Sequence, residues 1–321
     1  MTSATAMTAP ETLGITESTR RRVAVTGASG LIGSALASLL ERSGYQVVRL
    51  VRRAPRTGEI GWDPARGRID AAALEGLAAV VHLAGENLAG GRWTSARRRR
   101  ILESRTLGTG LIARTLAALE DPPAVLVSAS AIGVYGDRGD LPLAEDAAPG
   151  TGFLADVVRA WEAAADPARA SGIRVVHPRF GIVLSPRGGA LAKLLVPFRL
   201  GLGAPLGNGR QWMSTVSIDD TVGAIGHAIV TGGVEGPVNV TMPEAVRNAE
   251  LTRTLARVLR RPSLPFGVPA FALHVALGAL ADETLLASAR VVPARLLETG
   301  YRFQHPALEP ALRHVLASES R

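Results

Sequence analysis

Thr26-Gly27-Ala28-Ser29-Gly30-Leu31-Ile32-Gly33 is the stretch that decides how this chain folds. Gly27, Gly30 and Gly33 have G-x-x-G-x-x-G spacing. The apolar run Val23-Ala24-Val25 precedes them and the amphipathic segment Leu31 to Leu40 follows, so the order is strand, tight turn, helix. Gly27 permits the turn, Gly30 lets a pyrophosphate approach the backbone, and Gly33 lets the helix pack close to the sheet. A diphosphate would lie at the helix N-terminus, beside Ser29, Leu31 and Ile32, where free N–H groups and the helix dipole favour an anion.

About 20 residues past the glycine turn, Val47-Val48-Arg49-Leu50-Val51-Arg52-Arg53 reads as the next strand. A strand that serves NAD ends here in Asp or Glu, which accepts from the ribose 2′-hydroxyl. This one ends in Arg52-Arg53, and Arg56 follows. A guanidinium is always charged and grips a phosphate with two N–H groups. The expected cofactor is therefore NADP(H). The competing reading of the arginine pair is a solvated basic turn.

Strand and helix signals alternate onward. Strands are expected near residues 22–26, 46–51, 78–83, 124–129 and 173–179, and helices near 31–43, 94–119 and 153–170. Short, wholly apolar strands such as Ala79-Val80-Val81 and Val125-Leu126-Val127 suit a parallel sheet covered on both faces. The fold class is α/β, a Rossmann-like doubly wound parallel sheet. After Phe180 the pattern loosens. Helices are expected from Gly188-Gly189 and over Asp219 to Ile229, strands over Trp212 to Val216 and Val238 to Thr241, and a helical reading broken by prolines from Pro243. The expected organisation is a dinucleotide-binding part (21–180 with about 215–242) and a smaller, mostly helical C-terminal substrate part (about 181–214 with 243–316).

Composition narrows the function classes. The chain has 321 residues, 47% of them hydrophobic, which is ample for one large or two coupled domains. Residues 1–20 are polar, with no apolar run, and read as a disordered tail rather than a signal peptide. No run is long enough to span a bilayer, so no membrane partner is expected, and the lack of a signal favours the cytoplasm. Cysteine is absent, which removes disulfides and thiol chemistry. The six histidines show no i, i+4 pairing, and no metal site is expected. The net charge is +8, but the run Arg97 to Arg100 falls in a helix as a solvated face. With no aromatic residues interleaved to stack bases, no nucleic-acid partner is expected. A small-molecule substrate and a monomer or homodimer are.

Three further stretches carry a resemblance. His82-Leu83-Ala84-Gly85 closes a strand, Arg105-Thr106-Leu107-Gly108-Thr109 lies in the long helix, and Ser128-Ala129-Ser130-Ala131-Ile132-Gly133-Val134-Tyr135-Gly136 closes another strand. With the glycine turn they resemble the extended short-chain dehydrogenases/reductases, with Arg105 replacing the Asn of the N-x-x-G-T motif. Leu83 to Leu88, Gly152-Phe153-Leu154-Ala155, Pro178 to Leu184, Gly207 to Gln211, Ser217 to Asp220 and, in the tail, Leu285 to Ser288, Val291 to Leu297 and Gly300 to Phe303 are similar to an atypical, YfcH-like "NAD-dependent epimerase/dehydratase" branch with its own C-terminal domain of unknown function. The resemblance implies the fold and a cofactor held along Leu83, Ala84, Gly85, Arg105, Ser128 and Phe180. It implies no particular substrate.

That family works a proton with Tyr and a Lys four residues later, the ammonium lowering the phenol's pKa. Here Phe153 and Val157 occupy those positions, and Lys193 is the only lysine in the chain. The remaining catalytic candidates are Ser130 at the strand end, Tyr135 just beyond it, and Glu86 after the preceding strand. Asp156 and Arg159 read equally as a surface i, i+3 pair, and Arg105 as holding a carboxylate, a phosphate or the loop itself. Two functions follow: hydride transfer at a small carbonyl or hydroxyl compound through an atypical site, or a non-catalytic NADP(H)-binding redox sensor.

Overall fold

The computed structural model describes residues 21–317. The tail expected over residues 1–20 lies outside them. The strands are β1 (Arg22–Thr26), β2 (Gln46–Val51), β3 (Glu59–Asp63), β4 (Arg68–Ile69), β5 (Ala79–His82), β6 (Val125–Ser128), β7 (Arg174–Phe180) and β8 (Gly236–Val240). With the short Ser130–Ala131 strand, which pairs with β7, they form a nine-stranded sheet in the order β8-β7-β6-β5-β1-β2-β3-β4. All these pairings are parallel except β3 with β4.

Helices α1 (Leu31–Arg42), α2 (Ser95–Ala117), α3 (Phe153–Ala163) and α4 (Asp166–Ala170) are followed by α5 (Gly189–Arg199) and α6 (Ile218–Val230). Each strand of a doubly wound sheet is buried on both faces, and β1 illustrates this. Val23 and Val25 pack with Leu36 and Leu40 of α1 and Ile225 of α6. Ala24, between them, packs on the opposite face with Ile112 and Leu116 of α2. The chain order reverses at β1, which has β2 on one side and β5 on the other, so the loops after β1 and β5 diverge and leave a crevice at their carboxyl ends.

The expected helix over 153–170 is two helices. Pro167 lies in the first turn of α4, where its missing N–H is harmless; continued as one helix it would have lost a bond. The hairpin β3–β4 was not foreseen. Its run Glu59-Ile60-Gly61-Trp62-Asp63 alternates half-buried and buried side chains, and β2 offers it a free edge. The expected strand over Trp212 to Val216 is two short ones, Trp212–Met213 and Thr215–Ser217. Beyond β8 come α7 (Asn248–Leu259), α8 (Ala270–Leu277), α9 (Ala294–Glu298) and α10 (Leu308–Ala317). No described helix is long and apolar enough to cross a membrane.

Candidate functional site

The glycine turn is a cradle of backbone. Gly27 has φ +66°, a conformation that side chains resist, and a Cβ on it would lie 3.0 Å from the Leu83 carbonyl carbon. A Cβ on Gly33 would lie 2.2 Å from the Gly27 oxygen. The turn closes by a 2.9 Å bond from the Gly30 N–H to that same oxygen. No side chain caps α1 and its first turn has no acidic residue, so its N-terminus stays open to an anion.

Thr26 joins the two loops that diverge there. Its Oγ1 accepts from the Leu83 and Ala84 N–H groups at 3.0 and 3.1 Å. Its own proton therefore goes to His82 Nδ1, 2.7 Å away, which assigns the ring proton to Nε2. Burial pushes His82 down to about 4, and its ring meets Trp62 edge to face at 5.7 Å.

Between these loops lies a cavity of about 870 Å³. It runs from Gly27, Ser29 and Gly30 past Leu83, Ala84 and Gly85 to Arg49, Arg52 and Arg53, with Ser34, Ser38, Glu41, Glu59, Trp62, Pro64, Glu86 and Ser104 also in its wall. Its size falls within the range of small-molecule sites, about 300–1,000 Å³. The backbone cradle and the arginines suit a dinucleotide with its diphosphate at α1 and its adenosine end at β2.

The other residues expected at the cofactor do not line this cavity. Leu31 packs toward Gly188, and Ile32 packs against the core beneath α1. Gly33 lies under the turn. Ser128 is wholly buried with Oγ unpartnered, and Phe180 ends β7 half-buried. Arg105 is nearly buried and holds the loop: it donates to the carbonyls of Glu86 and Ile101, both at 3.1 Å, and its guanidinium lies 5.0 Å over the Trp161 ring. Burial, opposed by Glu86, lowers it to about 10.

Of the three catalytic candidates, Ser130 and Tyr135 join one buried network through Glu162 and Arg179, and only Glu86 lines the cavity. Glu86 lies at the cavity, its carboxylate 3.7 Å from Arg97, which also donates to the Asn87 carbonyl. Arg97 is thus turned inward, a correction to the solvated face expected for Arg97 to Arg100. Tyr135 has no exposed surface. Its hydroxyl donates to Asn239 Oδ1 at 2.8 Å and accepts from Arg179 Nη1 at 2.9 Å. Burial raises its pKa above the ordinary phenol range, so the expectation that it gives a proton to a ligand does not fit its place. Ser130 is 2% exposed and donates to Glu162 Oε1 at 2.5 Å. Its one proton is committed there, and its oxygen is left to accept.

Glu162 and Arg179 were not singled out beforehand. Arg179 Nε and Nη2 meet Glu162 Oε1 and Oε2 at 2.8 and 2.9 Å, a bidentate pair. Burial alone would raise the Glu162 pKa, but Arg179 outweighs it and holds the carboxyl below its usual range. The sequence did contain a signal: Arg179 falls at the end of a strand expected to be covered on both faces, and a buried charge needs a partner.

At the missing dyad, Phe153 packs edge to face on Trp93 at 5.2 Å, beneath the Arg98 guanidinium at 5.1 Å. Val157 is buried in the same apolar cluster with Ile101, Leu154 and Leu280. Glu283, from the C-terminal half of the chain, accepts the Leu154 N–H at 2.7 Å and so occupies the start of α3. Asp156 and Arg159 form the surface pair. Lys193 Nζ donates to the Ala89 carbonyl at 3.1 Å, tying α5 to the loop after β5. Although no metal site was expected, the fold gathers Asp219, His305 and His314, with ligand atoms within 4.8 Å of one another and the His314–Asp219 contact at 3.2 Å.

Comparison with known proteins agrees with this architecture. The crystal structure of the human epimerase family protein SDR39U1 (isoform 2) with NADPH superimposes with a TM-score of 0.84 at 33% identity, covering 92% of this chain and 99% of that one. A nucleoside-diphosphate sugar epimerase from Corynebacterium glutamicum gives 0.78 at 35% identity, covering 92% of this chain and 58% of that one. The epimerase family protein Mb2239 of Mycobacterium bovis is 43% identical over 294 residues, 91% of this chain and 97% of its own length. Residues 268–315 match a domain of unknown function, DUF1731. The glycine cradle, the reversal at β1 and the Ser130 strand end all fall within residues 23–241, which match the NAD dependent epimerase/dehydratase family, and the chain belongs to that family.

Proposed function

We propose that this protein binds NADP(H) in the cavity at the carboxyl ends of β1, β2 and β5 and passes hydride to or from a small carbonyl or hydroxyl compound. The observation that carries the reading is the cavity itself, continuous from the Gly27–Gly30 cradle to Arg52 and Arg53. Gly27, Ser29, Gly30 and the open start of α1 would hold the diphosphate. Arg52 and Arg53 would face the 2′-phosphate, Trp62 and Pro64 the adenine, and Leu83 to Gly85 the nicotinamide half. The cofactor, when bound, supplies a hydride donor or acceptor.

The chain's own contribution is unusual. Ser130 Oγ, whose O–H donates to Glu162, is left as an acceptor and suits a substrate hydroxyl better than a substrate carbonyl. Phe153 and Val157 exchange no proton, so the usual general acid–base gain of about 10²–10⁴ is absent from their positions. The test offers purified protein NADPH with a panel of carbonyl compounds, and NADP with the matching alcohols, following nicotinamide absorbance. Turnover that falls with Ser130→Ala supports the reading. Tight NADPH binding with no turnover in either direction sinks hydride transfer. It leaves the second reading, an NADP(H)-binding redox sensor, which the packing of Phe153 and Val157 into an apolar cluster favours.

A further inference from the structure

The adenosine end of the cavity has walls of both signs. Arg52 and Arg53 directly follow β2, and Glu59 opens β3 beside them. The Glu59 carboxylate is doubly held: Oε1 accepts from Arg53 Nη2 at 2.6 Å and Oε2 from the Arg56 N–H at 2.8 Å. Arg53 donates its other terminal nitrogen to the Ala54 carbonyl at 2.8 Å. Arg52 has no hydrogen-bond or ion-pair partner among the described residues. Glu59 pairs in register with Arg49 across β2 and β3, so a sheet rather than a loose loop sets its position.

Two consequences follow from this arrangement. Arg53 is already paired before any ligand arrives, which leaves Arg52 and Arg49 as the unpaired cations of this wall among the described residues. An acidic side chain also lies in the wall where the ribose 2′ substituent is expected. A 2′-phosphate placed there gains Arg52 but is repelled by Glu59, whereas a 2′-hydroxyl gains an acceptor. The usual acidic reader of the 2′-hydroxyl comes from the end of β2; here a carboxylate reaches the same end of the cavity from β3.

We propose that Glu59 is a specificity-determining residue of this site, opposing the 2′-phosphate and accepting the 2′-hydroxyl, so that the chain takes NADH as well as NADPH. The proposal rests on the reading that the cavity binds a dinucleotide. It is tested by titrating the full chain with NADPH and with NADH, following nicotinamide fluorescence, for the wild type, Glu59→Gln and Glu59→Ala. The wild type is expected to bind both cofactors. Each variant should move the NADPH-to-NADH affinity ratio about fivefold toward NADPH, the most a partly exposed charge pair usually supplies, and less at high salt. A ratio that stays within about twofold of wild type, or that moves toward NADH because Glu59 merely positions Arg53, overturns the role of Glu59 alone. Failure of the wild type to bind either cofactor overturns the dinucleotide reading along with it.

Discussion

Gly33→Ala is a sharp test of the cradle. The added Cβ would lie 2.2 Å from the Gly27 oxygen and 2.8 Å from the Ala28 Cα, both backbone atoms that no rotamer change can move. Carbon–oxygen contacts settle at about 3.3 Å, so either the turn or α1 must shift by about 1 Å. The same oxygen accepts the Gly30 N–H, so the shift loosens the turn as well as its seat on the helix. Overpacking of this kind costs about 1–3 kcal/mol, and replacing a helical glycine by alanine returns about 1 kcal/mol. The net loss of stability is therefore small, about 1 kcal/mol. Binding suffers more, because displaced N–H groups lose charge-assisted bonds worth about 1.5–3 kcal/mol each, or roughly 10–100-fold in NADPH affinity. The assay is NADPH fluorescence titration beside a urea melt, with Gly226→Ala as control. Gly226 lies in α6, and its added Cβ would meet Leu39 Cδ2 at an ordinary 3.7 Å. The control should bind like wild type. Gly33→Ala with wild-type affinity would falsify the close-packed cradle.

Three other outcomes are expected. Tyr135→Phe removes a hydroxyl that donates to Asn239 and accepts from Arg179; it should cost about 1–3 kcal/mol in a urea melt while leaving NADPH affinity and any turnover unchanged. A loss of turnover at full stability would restore Tyr135 as a proton donor. Glu162→Gln leaves the Arg179 charge, 7% exposed, without its counter-charge and should destabilise by about 3–5 kcal/mol, with Glu162→Leu/Arg179→Met recovering most of it; equal losses in the single and double variants would refute the coupling. His82 and His177 are both pushed down to about 4 by burial. The unfolded chain thus takes up protons below its ordinary value of about 6.5 while the fold does not, so their contribution is intact at pH 7 and declines toward pH 4. The expected loss at pH 5 is about 2 kcal/mol for each. Urea midpoints at pH 7 and pH 5 that coincide would contradict it.

Much of the sheet was legible because its determinants are local. The run Val23-Ala24-Val25, the glycine spacing and the amphipathic helix after it state a strand, a turn and a helix without reference to distant residues. The hairpin β3–β4 was not legible, because Glu59 to Asp63 is short and contains Gly61, and it becomes a strand by pairing with the edge of β2. Pro167 was visible, but the run Ala163-Ala164-Ala165 before it favours continuity; only packing separates α3, which joins the clusters of Leu280 and Val291, from α4, which joins that of Ile112.

The site divides in the same way. Residue type at a strand end, Ser130 or Arg52-Arg53, can be read from the chain. The absence of Tyr and Lys at Phe153 and Val157 can be read too, since identity alone removes the proton chemistry. What Ser130 bonds to is decided 32 residues away at Glu162, and Arg53 is paired from another strand by Glu59. Tyr135 became part of the interior because Asn239, 104 residues later, meets its hydroxyl. A buried polar group must be satisfied by whatever the folded chain brings to it, so sequence alone determined the backbone frame and the missing dyad. Only tertiary structure decided which of the remaining polar groups face a ligand and which hold the protein together.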